Sequence, residues 1–148
     1  MSDAVTVHPD EIGLTAHPLD ASSALRFCAD EHAGAIDLFL GCTRAQQRDD
    51  GVALVALDYE AFDDLAGRQL RELVARAREQ FPIVKCVLLH RVGRVPLSEP
   101  SVLIAVATPH RAESFAACRW LIDTLKREVA IWKREVWSDG AGSWVDPG

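Results

Sequence analysis

Between Asp63 and Pro82 the apolar residues Ala66, Leu70, Leu73, Val74, Ala77 and Phe81 fall at offsets 0, 4, 7, 8, 11 and 15. That spacing is the 3.6-residue period of one helix face. Asp63 or Asp64 starts the helix, and Pro82, which has no backbone N–H to donate, ends it. A helix with one apolar stripe must bury it against a sheet or another helix. Its neighbours in the chain are extended: Ala35–Gly41 and Val52–Ala61 before it, Val84–Val92 and Val102–Thr108 after it. The first two are expected to pair with each other across the polar loop Cys42–Gly51.

Two further helices flank this centre. Asp20 or a neighbouring serine caps one that runs to about Asp30, with Leu25 and Cys28 on one face. Thr108 and Pro109 suit the N-cap and first position of a last helix reaching about Lys126. Its core face is expected to carry Phe115, Cys118, Ile122 and Leu125. Ala4–His8 reads as a short strand, Val129–Val136 as extended, and the residues around Trp144 as a Gly-rich turn. The order β, α, β, β, α, β, β, α, β is not a regular βαβ alternation. It predicts an α+β fold, a largely antiparallel sheet with flanking helices. No repeat or linker divides the chain, so residues 1–148 are expected to form one domain.

Composition narrows the function classes. Hydrophobic residues make up 49% of the 148 and charged residues 26%, the profile of a globular protein. The net charge of −6 and the lack of a basic stripe argue against nucleic acid. MSDAVTVHPDE has no secretory-signal pattern, and no apolar run approaches a membrane span, so a cytoplasmic protein without membrane contact is expected. Cys28, Cys42, Cys86 and Cys118 contain no CxxC pair and read as reduced thiols. Cys28/His32 and Cys86/His90 are each four apart, but this is not the tight ligand pairing of a zinc site, so no metal is expected.

The charges are unevenly placed. Residues 1–43 hold seven acids and one base, whereas residues 44–148 balance at 15 each. Thirteen bases are Arg and three are Lys, and two of the lysines, Lys126 and Lys133, lie seven apart. They converge only if the chain reverses near Arg127–Ala130; otherwise they are surface charges. His110-Arg111 falls at a helix start, where cations are unfavourable unless an anion docks. The other reading pairs Arg111 with Glu113. Arg44 leaves the end of a strand, as a ligand group or a solvated loop charge. The tryptophans Trp120, Trp132, Trp137 and Trp144 crowd the last 29 residues, which suits a recognition surface or core packing.

GCTR at 41–44, LDYEAF at 57–62, HRVGRVPLSEPSVLIAV at 90–106, PHRAESFAA at 109–117 and LIDTLKREVAIWKRE at 121–135 together resemble the large subunit of molybdopterin synthase, the MoaE family. The resemblance is strongest over residues 34–137. It implies an α/β-hammerhead-like fold and a sulfurtransferase of molybdenum cofactor biosynthesis. Such an enzyme converts cyclic pyranopterin monophosphate to the molybdopterin dithiolene. The sulfur comes from the thiocarboxylated C-terminus of a small ubiquitin-like, MoaD-like subunit, and two large subunits form the homodimer core of a heterotetramer. No cofactor is implied. Lys126 and Lys133 match the family's catalytic lysines; Arg44, His110 and Arg111 match its substrate-binding residues. Cys42, Thr43, Arg134 and Glu135 are adjacent positions expected to line the same pocket. The loop after Arg44, AQQRDDG, departs from many relatives by lacking an Asn, and no basic residue follows Trp144 as in some bacterial relatives. The alternative is a non-catalytic module that docks a ubiquitin-like protein or a phosphate ligand, or a structural homodimer with a solvated basic face.

Overall fold

In the computed structural model, which describes residues 10–145, the strand Pro100–Thr108 is the hub. All its residues from Ser101 onward are buried, because both faces of its sheet are covered. Named in chain order, the elements are β1 (Glu11–Thr15), α1 (Ala21–Cys28), β2 (Ala35–Cys42), β3 (Leu54–Ala61), α2 (Asp63–Gln80), β4 (Lys85–Arg91), β5 (Gly93–Pro96), β6 (Pro100–Thr108), α3 (Arg111–Glu128), β7 (Ile131–Trp137) and β8 (Gly142–Val145). They form two four-stranded sheets, ordered β1-β4-β6-β2 and β5-β3-β7-β8. Every pairing is antiparallel except β1 with β4. The α+β class and the antiparallel bias follow the sequence reading.

Alternation along β6 divides the core. Val102, Ile104 and Val106 face α2 and α3, meeting Leu70, Val74, Leu121 and Leu125. Leu103, Ala105 and Ala107 face α1, meeting Ala24 and Cys28. A strand buried on both sides carries an unbroken apolar run, as the sequence does here. The α2 stripe is buried from Ala66 through Ala77.

Several expectations are corrected. The strand expected at Ala4–His8 lies outside the described residues. β2 and β3 do not pair: β2 joins β6 in one sheet, and β3 sits between β5 and β7 in the other. The intervening loop instead closes on itself through a Gln47–Ala53 bridge, which redirects the chain. Asp20 does cap α1, accepting from the Ser23 N–H at 3.2 Å, but the buried face runs through Ala24 and Cys28, leaving Leu25 at 40% exposure. α3 starts two residues after Pro109, with His110 as N-cap, because Thr108 Oγ1 donates to the His110 carbonyl. Of its expected core face, Cys118, Ile122 and Leu125 are buried, joined by Ser114 and Leu121, while Phe115 lies on the flank of that face at 58% exposure. The residues near Trp144 form strand β8 rather than only a turn. The tryptophans divide: Trp137 is buried, Trp144 is exposed, Trp132 packs edge-on against Phe62, and Trp120 lies under Arg76.

One polar cluster ties β1's approach to the core. Arg78 on α2 meets both carboxylate oxygens of Asp10, at 2.9 and 2.6 Å, and also donates to the Ile83 and Val84 carbonyls. The Cys86 N–H donates to the same carboxylate at 3.1 Å. Asp10→Ala leaves the partly buried guanidinium without its counter-ion, so a loss of about 2–3 kcal/mol in urea unfolding is expected. Loss of under 0.5 kcal/mol would mean solvent replaces the carboxylate at no cost.

Candidate functional site

α3 ends at Glu128 and β7 begins at Ile131, so the chain reverses within two residues. Gln69 of α2 anchors that reversal, its Oε1 accepting from the Ala130 N–H at 2.8 Å. The reversal turns the last turn of α3 toward the start of β7. Ile122, Leu125 and Lys126 share one helix face, as residues three and four apart do. With Val129, Ile131 and Lys133, they wall a cavity of about 320 Å³. Both lysines line it, which was the condition the sequence left open.

The opposite wall comes from the two sheets. β2 contributes Phe39, Gly41 and Cys42, and the following loop contributes Arg44 and Gln46. β3 contributes Leu57 and Tyr59, and Tyr59 stands directly across from Lys133 in the β3–β7 ladder. A β-bulge at Gly41/Cys42 skips Ser101 of β6, and bulges of this kind re-aim side chains next to sites. Ser101 Oγ donates to the Gly41 carbonyl at 3.2 Å and is hydrogen-bonded with the Tyr59 hydroxyl. Gly41 is required here, because a Cβ would lie 2.7 Å from Val102 Cγ1.

Charge in this cavity has one sign. Arg44, Lys126 and Lys133 line it, and no Asp or Glu does among the described residues. Lys126 remains open to solvent, yet the wall withdraws enough water from its ammonium to lower its pKa, and the charge of Lys133 lowers it further. The cavity therefore favours an anionic ligand, with an amine at its edge that gives up a proton more readily than a free lysine.

The other expected residues lie elsewhere. Thr43 is buried and turned away, its hydroxyl donating to the Val95 carbonyl at 3.3 Å. Arg134 follows Lys133 on β7, so alternation puts it on the other face of the sheet, against Gly142 and near Asp58. Glu135 shares a strand face with Lys133 but lies beyond the cavity wall. His110 and Arg111 are exposed at the opposite end of α3. Fifteen residues of helix at 1.5 Å per residue separate Arg111 from Lys126 by about 22 Å. Within one chain, a single small ligand cannot bridge them. The third lysine, Lys85, pairs with Asp30 at 3.9 Å across the molecule's other face.

Four polar lining residues carry no role in the sequence reading: Gln46, Tyr59, Ser101 and His90. His90 had a signal. It occupies an inward position of β4, in step with buried Cys86 and Leu88, and a polar residue in an apolar alternation marks a cavity. No group of His, Cys, Asp and Glu among the described residues is arranged to hold a metal ion. No helix among the described residues is long and apolar enough to cross a membrane.

Comparison with known proteins matches the family described as MoaE protein to residues 14–128. A molybdopterin synthase catalytic subunit from Nostoc sp. is 39% identical over 97% of this chain and 88% of its own. One of the same name from Thermoplasma volcanium is 41% identical over 86% of this chain and 90% of its own. The crystal structure of molybdopterin synthase from Staphylococcus aureus superposes with a TM-score of 0.85 at 29% identity, covering 94% of this chain and 99% of that one.

Proposed function

The chain belongs to the MoaE family, and from that membership we propose that its lysine-lined cavity is the sulfur-transfer site of a molybdopterin synthase catalytic subunit. The observation that carries the reading is the meeting of Lys126, Lys133 and Arg44 around one cavity free of carboxylates. A dithiolene-forming reaction on a cyclic pyranopterin monophosphate needs these charges. The substrate is a phosphate ester, and the sulfur donor is a thiocarboxylate at the C-terminus of a small MoaD-like subunit, so both reactants are anions. Fixed cations at the cavity rim attract both and offset the repulsion between them.

Within this reading Lys126 holds the thiocarboxylate and stabilises charge developing at its carbonyl. Its lowered pKa suits a group that gives up a proton more readily than an ordinary lysine. Lys133, half-buried beside Tyr59, donates or accepts the proton as sulfur replaces oxygen on the pterin side chain. Arg44 supplies a planar two-pronged contact for phosphate or pterin oxygens, and Cys42 lines the rim without serving as sulfur carrier. Thr43 supports the loop that presents Arg44, and Arg134 and Glu135 hold β7 in its sheet. The protein works as one MoaE-like domain in the cytoplasm.

His110 and Arg111 enter this reading only through a second copy. In a two-fold dimer the N-terminus of one α3 can face the cavity of its partner, so the anion site at that helix start completes the partner's pocket. The dimer is the core of a heterotetramer with one small subunit at each end. A mixing experiment tests the sharing of residues. Lys126→Ala and Arg111→Ala are each expected to be inactive alone, and their equimolar mixture after subunit exchange to recover roughly a quarter of wild-type activity. That fraction arises because half the dimers are mixed and each holds one intact site. A mixture as inactive as its components would place both residues in the same protomer's site, against the 22 Å separation estimated from helix rise.

Reconstitution with the thiocarboxylated small subunit and cyclic pyranopterin monophosphate tests the activity itself. Dithiolene product is expected. A protein that binds both reactants but forms none would be a docking module.

A further inference from the structure

One lining residue differs in kind from the rest of the cavity. His90 is only 5% exposed and sits at the end of β4, opposite Val102 in the β4–β6 ladder. Its Nδ1 lies 2.8 Å from the Arg91 carbonyl oxygen. A carbonyl can only accept, so the Nδ1 hydrogen is fixed there and the lone pair is left on Nε2. The ring is held edge-to-face against Tyr59, with centroids 5.0 Å apart. Among the described residues no protein group bonds Nε2, and the ring borders the cavity.

The charged groups that share the cavity with His90 are donors, and the Gln46 amide, which can also accept, is exposed on the loop. Lys126 comes from α3, Lys133 from β7 and Arg44 from the loop after β2, while Tyr59 and Ser101 engage each other. Burial and the nearby charge of Lys126 keep the imidazole neutral, lowering its pKa to about 4. A cavity lined by cations would accept any small anion. A single fixed acceptor at its floor adds a second requirement: the ligand must present a hydrogen-bond donor at that place. Pterins meet it through ring N–H and amino groups, and a phosphodiester or an ionised carboxylate does not.

We propose that His90 is a specificity-determining residue of this pocket, its Nε2 accepting a hydrogen bond from an N–H or O–H of the pterin substrate. The proposal rests on the sulfur-transfer reading above and adds to it the part of the substrate that is read. Leaving a substrate donor unpaired in a buried site weakens binding by about tenfold or more.

The test uses the assembled enzyme with both reactants. His90→Phe keeps an aromatic ring against Tyr59 and removes the acceptor. His90→Gln keeps an acceptor near the position of Nε2. His90→Phe is expected to raise KM for the cyclic pyranopterin about tenfold or more, with binding of the small subunit unchanged. His90→Gln is expected to restore most of the loss. In the unmodified protein, the nitrogen-15 resonance of His90 Nε2 is expected to move upfield when the pyranopterin is added, as its lone pair becomes engaged. Unchanged KM in a folded His90→Phe enzyme would overturn the proposal. So would equal losses in both variants, which would indicate packing alone, or an Nε2 resonance that ignores the substrate. If the unmodified enzyme makes no dithiolene, the sulfur-transfer reading fails instead, and the two failures are told apart by that control.

Discussion

Lys126→Ala is expected to lower dithiolene formation by about 10²–10³-fold or more, the scale of losing a fixed charge and a proton-transfer group together. The thermal midpoint is expected to move little. Lys126 takes part in no ion pair among the described residues, and its ammonium is already disfavoured by its wall and by Lys133. Removing it relieves that cost while losing little packing. Lys126→Arg is expected to be nearly as inactive. A guanidinium retains the charge but does not give up a proton near neutral pH. Lys133→Ala removes the like charge that lowers the Lys126 pKa, so any residual activity should shift its pH profile upward as well as fall. The measurement is product formed per turnover with the small subunit in excess. Full activity in Lys126→Ala would end the assignment of the cavity.

The second large effect is on stability in acid, and it originates in His90. Its folded pKa of about 4 lies below the ordinary value of 6.5. Between those values the unfolded chain binds a proton that the folded chain refuses, so unfolding is favoured as pH falls through that window. Above pH 6.5 neither state is protonated and the penalty is absent. Below pH 4 both are, and the loss is complete at about 3 kcal/mol. Urea unfolding at a series of pH values should therefore slope downward from pH 6.5 to 4, and His90→Gln should flatten that interval. Asp50, Asp58 and Asp139 also titrate low in the folded state, each held by backbone or Arg hydrogen bonds. Their stabilisation is present above the ordinary carboxylate value and is lost at more acid pH, so their slope lies mainly below the histidine window. An unchanged slope in His90→Gln would mean that the imidazole takes up its proton without cost.

The long elements were legible because their patterns are long. Ala66 through Ala77 give about three turns of one period, and β6 shows its burial on both faces as an unbroken apolar run. β1, β5 and β8, of four or five residues each, are too short for periodicity to register, and pairing partners distant in sequence decide them. The same applies to the β2–β3 pairing: the residues suit a hairpin, but β6 offers β2 an eight-residue ladder with core on both sides. Phe115 shows the limit at helix ends. The period places Cys118, Ile122 and Leu125 inside correctly, but in the first turn of α3 the buried face runs through Ser114, so Phe115 on its flank is exposed.

At the site, the lysines were legible because they are scarce among the bases. The resemblance supplies their chemistry, and the two-residue link between α3 and β7 supplies the reversal that joins them. Thr43 and Arg134 were misplaced by adjacency: in a strand the neighbour of a lining residue points the opposite way. His110 and Arg111 were grouped with the lysines by family likeness, although a helix of 18 residues keeps its two ends apart. Only a second copy restores the grouping.

The anchored turn between α3 and β7 makes the interval between the two lysines a matter of counting. Lys126 is oriented by helical angle and Lys133 by strand parity, and the short link at Val129–Ala130 converts one into the other. Insertion or deletion of one residue there would exchange Lys133 for its neighbour, putting Ala130's partner Gln69 out of step and turning the second amine to the far side of the sheet. Substitutions around the cavity can be absorbed one at a time, but a change in chain length at this link cannot. The seven-residue spacing of the lysines is in that sense as much a part of the site as the amines themselves.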